Sequence, residues 1–503
     1  MANRFYIFFL TLVIFTAQCA GQKYTEPHRP QYHFSPKEKW MNDPNGMVYY
    51  KGEYHLFYQY YPDSTVWGPM HWGHAVSKDK LHWQHLPIAL YPDSMGYIFS
   101  GSVVVDIKNT SGFKKGIEAP LIAIFTYHNM AGEKAGTDKF QTQGIAYSTD
   151  KGRHWNKYSA NPVIKNPGHK DFRDPKVFWH EPTKHWVMSL AVGDRIQFYH
   201  SKDLKNWGLT GEFGMKEGSH GGVWECPDLF SLPITGSTEK KWVLIVSIGN
   251  GAPNGGSGTQ YFVGDFDGSN FKNSQTAQIE RWIDYGTDNY AGVTWSNTAE
   301  GEKIFLGWMS NWKYATQVPT QKWRSAMTLP RLLRLEKIKN GYFLRSEPIA
   351  NVQKIRGNSK PFSLNKWPVK FGPLSEIILE ADLENKKNNS FSIEFSNGNL
   401  EKLIVGYNDN DHSYFIDRTH VGNTSFSPVF AVKEIAPRLT NSKTIRLHIF
   451  TDKSSIEVFA DDGLSCMTAI YFPTADFESI RLVSENDHFS FTKNEGYRLT
   501  TVW

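Results

Sequence analysis

Short segments in which apolar and polar residues alternate recur along this 503-residue sequence, and they constrain its fold more than any other feature. Glu53–Gln59 and Lys241–Ser247 are two of them, and Gly, Asn, Asp and Pro separate such segments. Alternation with a period of two is typical of a half-buried β-strand, whereas a helix repeats its apolar residues at intervals of three and four. Long stretches with the helical interval are hard to find, so the sequence predicts an all-β protein.

A degenerate repeat lies within this pattern. Each copy combines an Asp with an aromatic residue a few positions later, as in a hairpin turn whose aromatic residue opens the returning strand. These aromatic residues lie 72, 52 and 64 residues apart. Such intervals favour the four-stranded blades of a β-propeller, and residues 28–345 have room for five blades; a β-sandwich with repeated hairpins is the alternative. The copies are Ser77–Trp83, Ser148–Trp155, Ser201–Trp207 and Gly264–Phe271.

The chain is longer than one compact domain usually is, and its composition changes after Pro348. Residues 346–365 are polar and predict a linker or a short helical connection. Residues 366–503 return to short strand-like runs, which predicts a second all-β domain, a β-sandwich that braces the propeller. These runs are Ile377–Asp382, Phe391–Phe395, Thr444–Phe450 and Ser455–Phe459.

The first 20 residues are typical of an export signal. Arg4 supplies a positive charge, Phe5–Phe15 is an apolar run, and Ala17–Ala20 offers small residues for cleavage. The run is too short for a comfortable membrane span. We therefore expect an exported protein, periplasmic or extracellular; lipid attachment at Cys19 is the less favoured alternative, because Gln18 before it suits such a site poorly.

Composition excludes several classes of function. The formal charge of +5 comes from mixed Lys, Arg, Asp and Glu without a basic run, which argues against a nucleic-acid partner. No second segment is long and apolar enough to predict a transmembrane helix. Cys226 and Cys466 are far apart and do not predict a disulfide framework, and His71 and His74 are best interpreted as structural. We expect neither a metal nor a cofactor; the oligomeric state stays open.

Three acidic residues stand in unusual sequence surroundings. Asp43 lies in Trp40-Met-Asn-Asp-Pro-Asn-Gly46, Asp174 in Phe172-Arg-Asp-Pro175, and Glu225 in Trp224-Glu-Cys-Pro-Asp228. A Pro follows each acid immediately or one residue later. Since Pro favours extended geometry before it and lacks an N–H donor, we expect each acid at a strand end or turn.

Paired carboxyl groups at such positions suit glycoside hydrolysis with retention, which needs an ionised nucleophile and a protonated acid. Arg173 beside Asp174 favours an ionised carboxylate, and partial desolvation between Trp224 and Cys226 favours a protonated Glu225. Propeller blades surround one axis, so they can bring distant acids together. A structural role as turn carboxylates is the alternative for each motif taken alone.

The three motifs resemble the signature blocks of glycoside hydrolase family 32. Phe99-Ser-Gly-Ser102 resembles a further block, and Asp452–Phe459 is similar to a signature of the family's C-terminal sandwich. The similarity runs from about Pro30 to the end of the sequence, in the order that the family has.

This resemblance implies a five-bladed propeller followed by a β-sandwich, and hydrolysis of fructosides through a covalent fructosyl-enzyme. It implies that Asp43 is the nucleophile and Glu225 the general acid/base, and that Asp174 holds hydroxyls of the fructosyl ring and stabilises the transition state. Seven further residues are implied in the pocket of the terminal sugar: Asn42, Gln59, Trp67, Phe99, Ser100, Arg173 and Trp312.

Within the family, Met70–His74, Phe99–Ser102, Gly307–Trp312 and Pro319–Pro330 look more like bacterial levanases and fructan exo-hydrolases than plant invertases. We therefore expect a fructan hydrolase that releases fructose from chain ends, with sucrose as a possible additional substrate. An endo-acting levanase is the close alternative, and β-2,6 and β-2,1 linkages are not distinguished. An inverting five-bladed arabinan or xylan hydrolase and a non-catalytic fructan-binding protein are more distant ones.

Overall fold

The computed structural model describes residues 24–276, 279–299, 302–339, 341–357, 362–363, 368–383, 388–484 and 489–503. The predicted export signal and Cys19 lie outside this part of the chain. No helix among the described residues is long and apolar enough to cross a membrane.

Five antiparallel sheets follow one another along the described residues from Lys39 to Pro348. The first two blades contain β1 (Lys39–Tyr50), β2 (Glu53–Tyr61), β3 (His71–Ser77), β4 (Trp83–Leu90), β5 (Tyr97–Val105), β6 (Leu121–His128), β7 (Gln141–Ser148) and β8 (Asn156–Lys157), with the short helix α1 (Met130–Lys134) between β6 and β7. The third and fourth contain β9 (Phe172–His180), β10 (His185–Val192), β11 (Arg195–Ser201), β12 (Gly208–Phe213), β13 (Trp224–Pro233), β14 (Lys240–Ile248), β15 (Gly258–Phe266) and β16 (Phe271–Asn273).

The fifth blade contains β17 (Tyr290–Thr294), β18 (Ile304–Met309), β20 (Ala326–Met327), β21 (Arg331–Ile338) and β22 (Gly341–Pro348), while β19 (Trp323–Arg324) pairs with β1 instead. This parallel pair, Lys39 with Trp323 and Trp40 with Arg324, joins the last blade to the first. The inner strands β1, β5, β9, β13 and β17 contact one another in a closed circle. Apolar side chains between neighbouring blades, such as Ile122 and Leu190, form the cores.

The repeat in the sequence is the hairpin between the third and outermost strands of the first four blades. Its copies connect β3 to β4, β7 to β8, β11 to β12, and β15 to β16, as predicted. In the first copy Asp79 Oδ1 accepts hydrogen bonds from the N–H groups of Leu81 and His82 at 3.0 and 2.9 Å. Asp150 and Asp203 make the equivalent bonds in their turns. The motif is therefore a turn that its own Asp stabilises.

A 3₁₀ helix, Ala350–Ile355, follows the propeller, and two six-stranded sheets follow it. One sheet contains β23 (Phe362–Ser363), β25 (Ser375–Asp382), β30 (Thr444–Asp452), β31 (Ser455–Ala460), β32 (Ser465–Ile470) and β34 (Lys493–Arg498). The other contains β24 (Val369–Lys370), β26 (Phe391–Ser396), β27 (Lys402–Asn408), β28 (Ser413–His420), β29 (Lys433–Pro437) and β33 (Ser479–Ser484). The predicted all-β architecture, a five-bladed propeller followed by a sandwich, is confirmed; its domain limits stay predictions.

A buried network of charges connects the sandwich to the propeller. Glu457 in β31 accepts from Arg331 Nη2 of the fifth blade at 2.5 Å and from His33 Nε2 at 2.9 Å. His33 Nδ1 also lies 2.8 Å from Asp452 Oδ2, and Arg331 Nη1 lies 2.8 Å from Asp284. These side chains are 0 to 1 % exposed. Because unpaired buried charges are costly, this network fixes the two domains against each other, and it accounts for the two acids of the Asp452–Phe459 motif.

Candidate active site

Each inner strand of the propeller carries a single-residue bulge at the same end. The pairing with the next strand shifts between Met41 and Pro44 in β1, Ile98 and Gly101 in β5, and Arg173 and Lys176 in β9. The same shift occurs between Glu225 and Asp228 in β13 and between Tyr290 and Val293 in β17. A bulge bends the strand and redirects its side chains, so five bulges around one axis can direct side chains into a common space.

The three acids occupy or adjoin these bulges. Asp43 is the fifth residue of the 12-residue strand β1, so the expectation that every acid lies at a strand end or in a turn is wrong for it. A bulge removes ladder hydrogen bonds and thereby tolerates the Pro that follows. Asp174 and Cys226, at equivalent positions of β9 and β13, have left-handed φ values of 64° and 47°. Such values are uncommon for residues other than Gly.

One pocket on the propeller axis collects every residue that the sequence predicted for the site. The space that it encloses, including its open mouth, is about 780 Å³. The predicted residues in its lining are Asn42, Asp43, Gln59, Trp67, Phe99, Ser100, Arg173, Asp174, Glu225 and Trp312, and the residues that were not predicted are His128, Glu133, Phe140, Gln141 and Asp171.

Asp43 is held at the base of the pocket by two donors. Ser100 Oγ donates to its Oδ2 at 2.8 Å, and Asn42 Nδ2 donates to its Oδ1 at 3.0 Å. The indole N–H of Trp40 donates to Asn42 Oδ1 at 2.8 Å and thereby orients that amide. Burial, followed by the charge of Glu225, raises the pKa of Asp43 to about 6, although the two donors oppose the shift. The carboxyl is mostly ionised at pH 7.

Asp174 lies beside Asp43 against the same cysteine. Its Oδ2 accepts from the Cys226 N–H at 3.1 Å, and Cys226 Sγ lies 3.6 Å from the Oδ2 atoms of both Asp43 and Asp174. Burial raises the pKa of Asp174 to about 7, and the positive charge of Arg173 only partly offsets it. Arg173 thus favours the ionised carboxylate, as predicted, but burial and the charges of Glu225 and Asp43 outweigh its effect.

Arg173 pairs instead with two other acids, because neighbouring side chains at the bulge diverge. Its Nε donates to Glu225 Oε1 at 3.0 Å, and its Nη1 donates to Asp171 Oδ1 at 2.6 Å. Glu225 also accepts from the hydroxyl of Tyr290, a fully buried residue of β17 that the sequence did not single out. Trp224 itself lies in the core between blades, and a guanidinium and a phenol contact the Glu225 carboxyl.

Aromatic side chains form the remaining walls. Trp67 packs edge-on against Phe99 at 6.0 Å, and Phe99 stacks on His128 at 4.1 Å. Trp312 stacks at 6.0 Å on the buried Trp40 of the Asp43 motif. The innermost side chains, Asn42, Gln59 and Ser100, are buried, whereas the side chain of Glu225 is 22 % exposed. The pocket is therefore closed at its base and open at Glu225.

The described residues contain no group of three or more His, Cys, Asp and Glu side chains arranged to hold a metal ion. His74 is buried against Phe57 and hydrogen-bonded to His55 at 3.0 Å, which agrees with its structural interpretation. The pocket thus presents carboxyl groups at its base and mouth, polar donors around them and aromatic walls, an arrangement suited to proton transfer and to binding a neutral sugar.

Comparisons with known proteins agree with this architecture. A levanase of Bacillus subtilis (strain 168) is 49 % identical, with 98 % of this chain and 74 % of the relative covered. An extracellular exo-inulinase of Aspergillus awamori is 38 % identical, with 95 % and 96 % covered.

The crystal structure of exo-inulinase from Aspergillus awamori superposes with a TM-score of 0.89 at 36 % identity, over 96 % of this chain and 100 % of that one. A β-fructofuranosidase from Schwanniomyces occidentalis, complexed with fructosyl-erythritol, gives 0.84 at 34 % identity, over 95 % and 98 %.

Two family models cover most of the chain. The model described as the glycosyl hydrolases family 32 N-terminal domain matches residues 33–348, and the one described as the family 32 C terminal matches residues 344–497. Membership makes the chain a glycosidase and sets aside both a non-catalytic binding protein and an arabinan or xylan hydrolase of another family. By these matches and the identity of its relatives, the chain belongs to glycoside hydrolase family 32.

Proposed function

We propose that this glycosidase removes terminal fructosyl units from fructans, levan or inulin, and from sucrose, with retention of configuration. The observation that carries the proposal is the meeting of Asp43, Asp174 and Glu225 in one pocket with a closed base. Relatives named levanase, exo-inulinase and β-fructofuranosidase support the choice of sugar.

Asp43 is the proposed nucleophile. Its two donors, Ser100 and Asn42, hold the carboxylate in one orientation, and a pKa of about 6 leaves it mostly ionised at neutral pH. In the first step one oxygen of Asp43 bonds to the anomeric carbon of the terminal fructosyl unit while the glycosidic bond breaks, which gives a covalent fructosyl-enzyme.

Glu225 is the proposed general acid/base. It protonates the departing oxygen in the first step, and in the second it takes a proton from the water that attacks the anomeric carbon and releases Asp43. Arg173 and Tyr290 contact its two oxygens and position the carboxyl group. Its place beside the mouth of the pocket suits proton exchange with a departing sugar and with incoming water.

Asp174 is the proposed partner of the fructosyl ring. Held by the Cys226 N–H, it faces the pocket beside Asp43 and can accept hydrogen bonds from ring hydroxyls. These bonds strengthen as positive charge develops on the ring in the transition state. The walls of Trp67, Phe99 and Trp312 pack against the apolar faces of the sugar.

The closed base favours exo action. A pocket that buries Asn42, Gln59 and Ser100 at one end accommodates a chain end, whereas an endo-acting enzyme needs a groove open at both ends. We also propose that the protein is exported, as residues 1–20 predict; an extracellular exo-inulinase among its relatives supports this.

Product analysis on levan, inulin and sucrose tests the function. We expect fructose as the only sugar released from both polymers, and equal amounts of glucose and fructose from sucrose. With Asp43→Asn protein as the inactive control, a ladder of short oligosaccharides would instead indicate endo action. Retention is tested by adding methanol as an acceptor: methyl β-fructoside is expected, and the α anomer would contradict a covalent intermediate on Asp43.

A further inference from the structure

Both aromatic and acidic side chains line the pocket: Trp67 and Trp312 are aromatic, whereas Glu133 and Asp171 carry carboxylates. The side chains of Glu133 and Asp171 are 42 % and 24 % exposed, so both lie farther out than the buried base around Asp43. Glu225, the proposed acid, lies at the same accessible level. Glu133 and Asp171 therefore lie at the accessible end of the pocket, where the proposed function has the leaving sugar depart.

Glu133 lies on α1, outside the motifs that resemble the family's signature blocks, yet a relay of hydrogen bonds orients its carboxylate. The Phe172 N–H donates to Gln141 Oε1 at 2.7 Å, and Gln141 Nε2 contacts His128 Nδ1 at 3.2 Å. His128 Nε2 in turn contacts Glu133 Oε2 at 3.1 Å. Because Gln141 Nε2 can only donate, Nδ1 of His128 accepts and Nε2–H donates to Glu133. The relay starts at the residue before Arg173.

The relay orients the Glu133 charge without neutralising it. Burial lowers the pKa of His128, and the nearby Glu133 carboxylate opposes that shift only in part, so the imidazole is neutral at pH 7. Phe99 and Phe140 pack against the ring and hold it in place. The pocket lining contains five carboxyl groups and, among Lys and Arg, only Arg173, which already pairs with Asp171 and Glu225. The mouth of the pocket therefore carries a net negative charge.

We propose that Glu133 is a specificity-determining residue on the leaving-group side: it accepts a hydrogen bond from a hydroxyl of the departing sugar, and its charge disfavours leaving groups that carry phosphate. This inference rests on the proposed function. It makes the neutral second sugar, and not only the terminal fructosyl unit, part of what the enzyme recognises.

The test uses the full-length protein and compares two substrates that differ in their leaving group. Sucrose leaves a sugar rich in hydroxyls, whereas nitrophenyl β-fructofuranoside leaves a phenol with no hydroxyl for Glu133 to bind. For Glu133→Ala we expect kcat/KM on sucrose to fall about 10-fold, as for the loss of a hydrogen bond to a charged group, with the nitrophenyl fructoside changed less than about twofold. Glu133→Gln keeps an acceptor oxygen and should restore most of the sucrose activity.

Phosphorylated sucrose tests the charge. For sucrose phosphorylated on its glucosyl unit, wild-type kcat/KM should be at least about 10-fold lower than for sucrose. Glu133→Gln should reduce this ratio of the two kcat/KM values about fivefold at low salt. The matched control is Glu239→Gln, which removes an exposed carboxylate at the far end of the fourth blade. It should leave both ratios unchanged.

Equal losses of kcat/KM on sucrose and on the nitrophenyl fructoside in Glu133→Ala would overturn the inference and assign Glu133 a structural role. An unchanged ratio between sucrose and its phosphorylated form in Glu133→Gln would overturn it as well. Melting temperatures of the variants identify any general loss of folding. Failure of the proposed function itself would look different, because the wild-type protein would then cleave neither sucrose nor the nitrophenyl fructoside.

Discussion

Replacing Asp174 by Asn is expected to make the folded protein more stable at neutral pH while weakening the site. Burial raises the pKa of Asp174 to about 7 from an ordinary value of 3.8. Between these two values the folded state holds a proton that the unfolded chain has released, so stability falls as pH rises through this window. Asn carries no charge at any pH, and it tolerates the left-handed φ of 64° at this position.

The size of the effect follows from the shift. A change from 3.8 to about 7 is about three pH units, and at 1.36 kcal/mol per unit the penalty above pH 7 is about 4 kcal/mol. This is an upper limit, because Asp43 and Glu225 contribute to the shift and relax when Asp174 loses its charge. We expect a gain of about 2 kcal/mol at pH 8, which corresponds to a few degrees in melting temperature for a chain of this length.

The assay is thermal unfolding of wild type and Asp174→Asn between pH 4 and pH 8. The gain should be full at pH 8, shrink through pH 7 to 5 and vanish near pH 4, where the unfolded Asp is also protonated. Asp452→Asn is the matched control, in which the effect on stability should have the opposite sign. Hydrogen bonds from His33 and from backbone N–H groups outweigh burial and lower the pKa of Asp452, so this variant should be less stable than wild type at pH 8. A difference between Asp174→Asn and wild type that does not change with pH would refute the reasoning.

Four further outcomes are expected. Asp43→Asn and Glu225→Gln should each abolish nearly all turnover on sucrose while circular dichroism stays unchanged; substantial activity in folded Asp43→Asn protein would exclude it as nucleophile. Wild-type kcat/KM should fall about 10-fold per pH unit below pH 6, because the pKa of Asp43 is about 6 and protonation removes the nucleophile; a rate that stays level to pH 4 would contradict this. Tyr290→Phe should lower kcat about 10-fold with little change in KM, since it removes a hydrogen-bond donor to Glu225. A rise of that size in KM with kcat unchanged would instead assign Tyr290 to substrate binding. Hydrogen bonds and charges of Asp452 and Glu457 outweigh burial and raise the pKa of His33 from 6.5 to about 9. In urea unfolding, His33→Gln should therefore lower the free energy of unfolding by about 3 kcal/mol below pH 6.5, and by less as pH rises through 9. A loss of stability that grows above pH 9 would contradict this pairing.

The parts of the molecule that the sequence predicted correctly depend on short-range interactions. The hairpin turns could be predicted because Asp79 bonds to N–H groups two and three residues away, so sequence and structure carry the same pattern. The strands could be predicted because alternation reports burial on one face. The ten predicted site residues line one pocket because the resemblance to the family supplied an arrangement that spacing alone does not, and their roles stay predictions.

The sequence did not predict contacts between residues that are far apart in the chain. It also did not predict that the side chains of two neighbouring residues point in different directions. Arg173 precedes Asp174 yet pairs with Glu225, 52 residues away, because a bulge directs the two neighbours differently. Tyr290 and Glu133 belong to no quoted motif, and their proposed roles depend on a fifth blade and a short helix that meet the pocket only in the folded protein. The pKa of Asp174 depends on burial, which the identity of its neighbour does not report.

The five bulges explain why one backbone arrangement can serve different chemistry on each inner strand. A regular strand directs neighbouring residues to opposite faces, so Asn42 and Asp43 could not both line one pocket without a bulge. At the bulges of β9, β13 and β17 the first residue is left-handed in each strand, and it is Asp174, Cys226 and Ala291 respectively. The geometry is thus repeated, while the side chain placed on it changes from an acid to a thiol to a methyl group. Function in this propeller therefore depends on which strand carries which residue: the left-handed positions of β9 and β13 bring the Asp174 carboxylate and the Cys226 N–H within hydrogen-bonding distance.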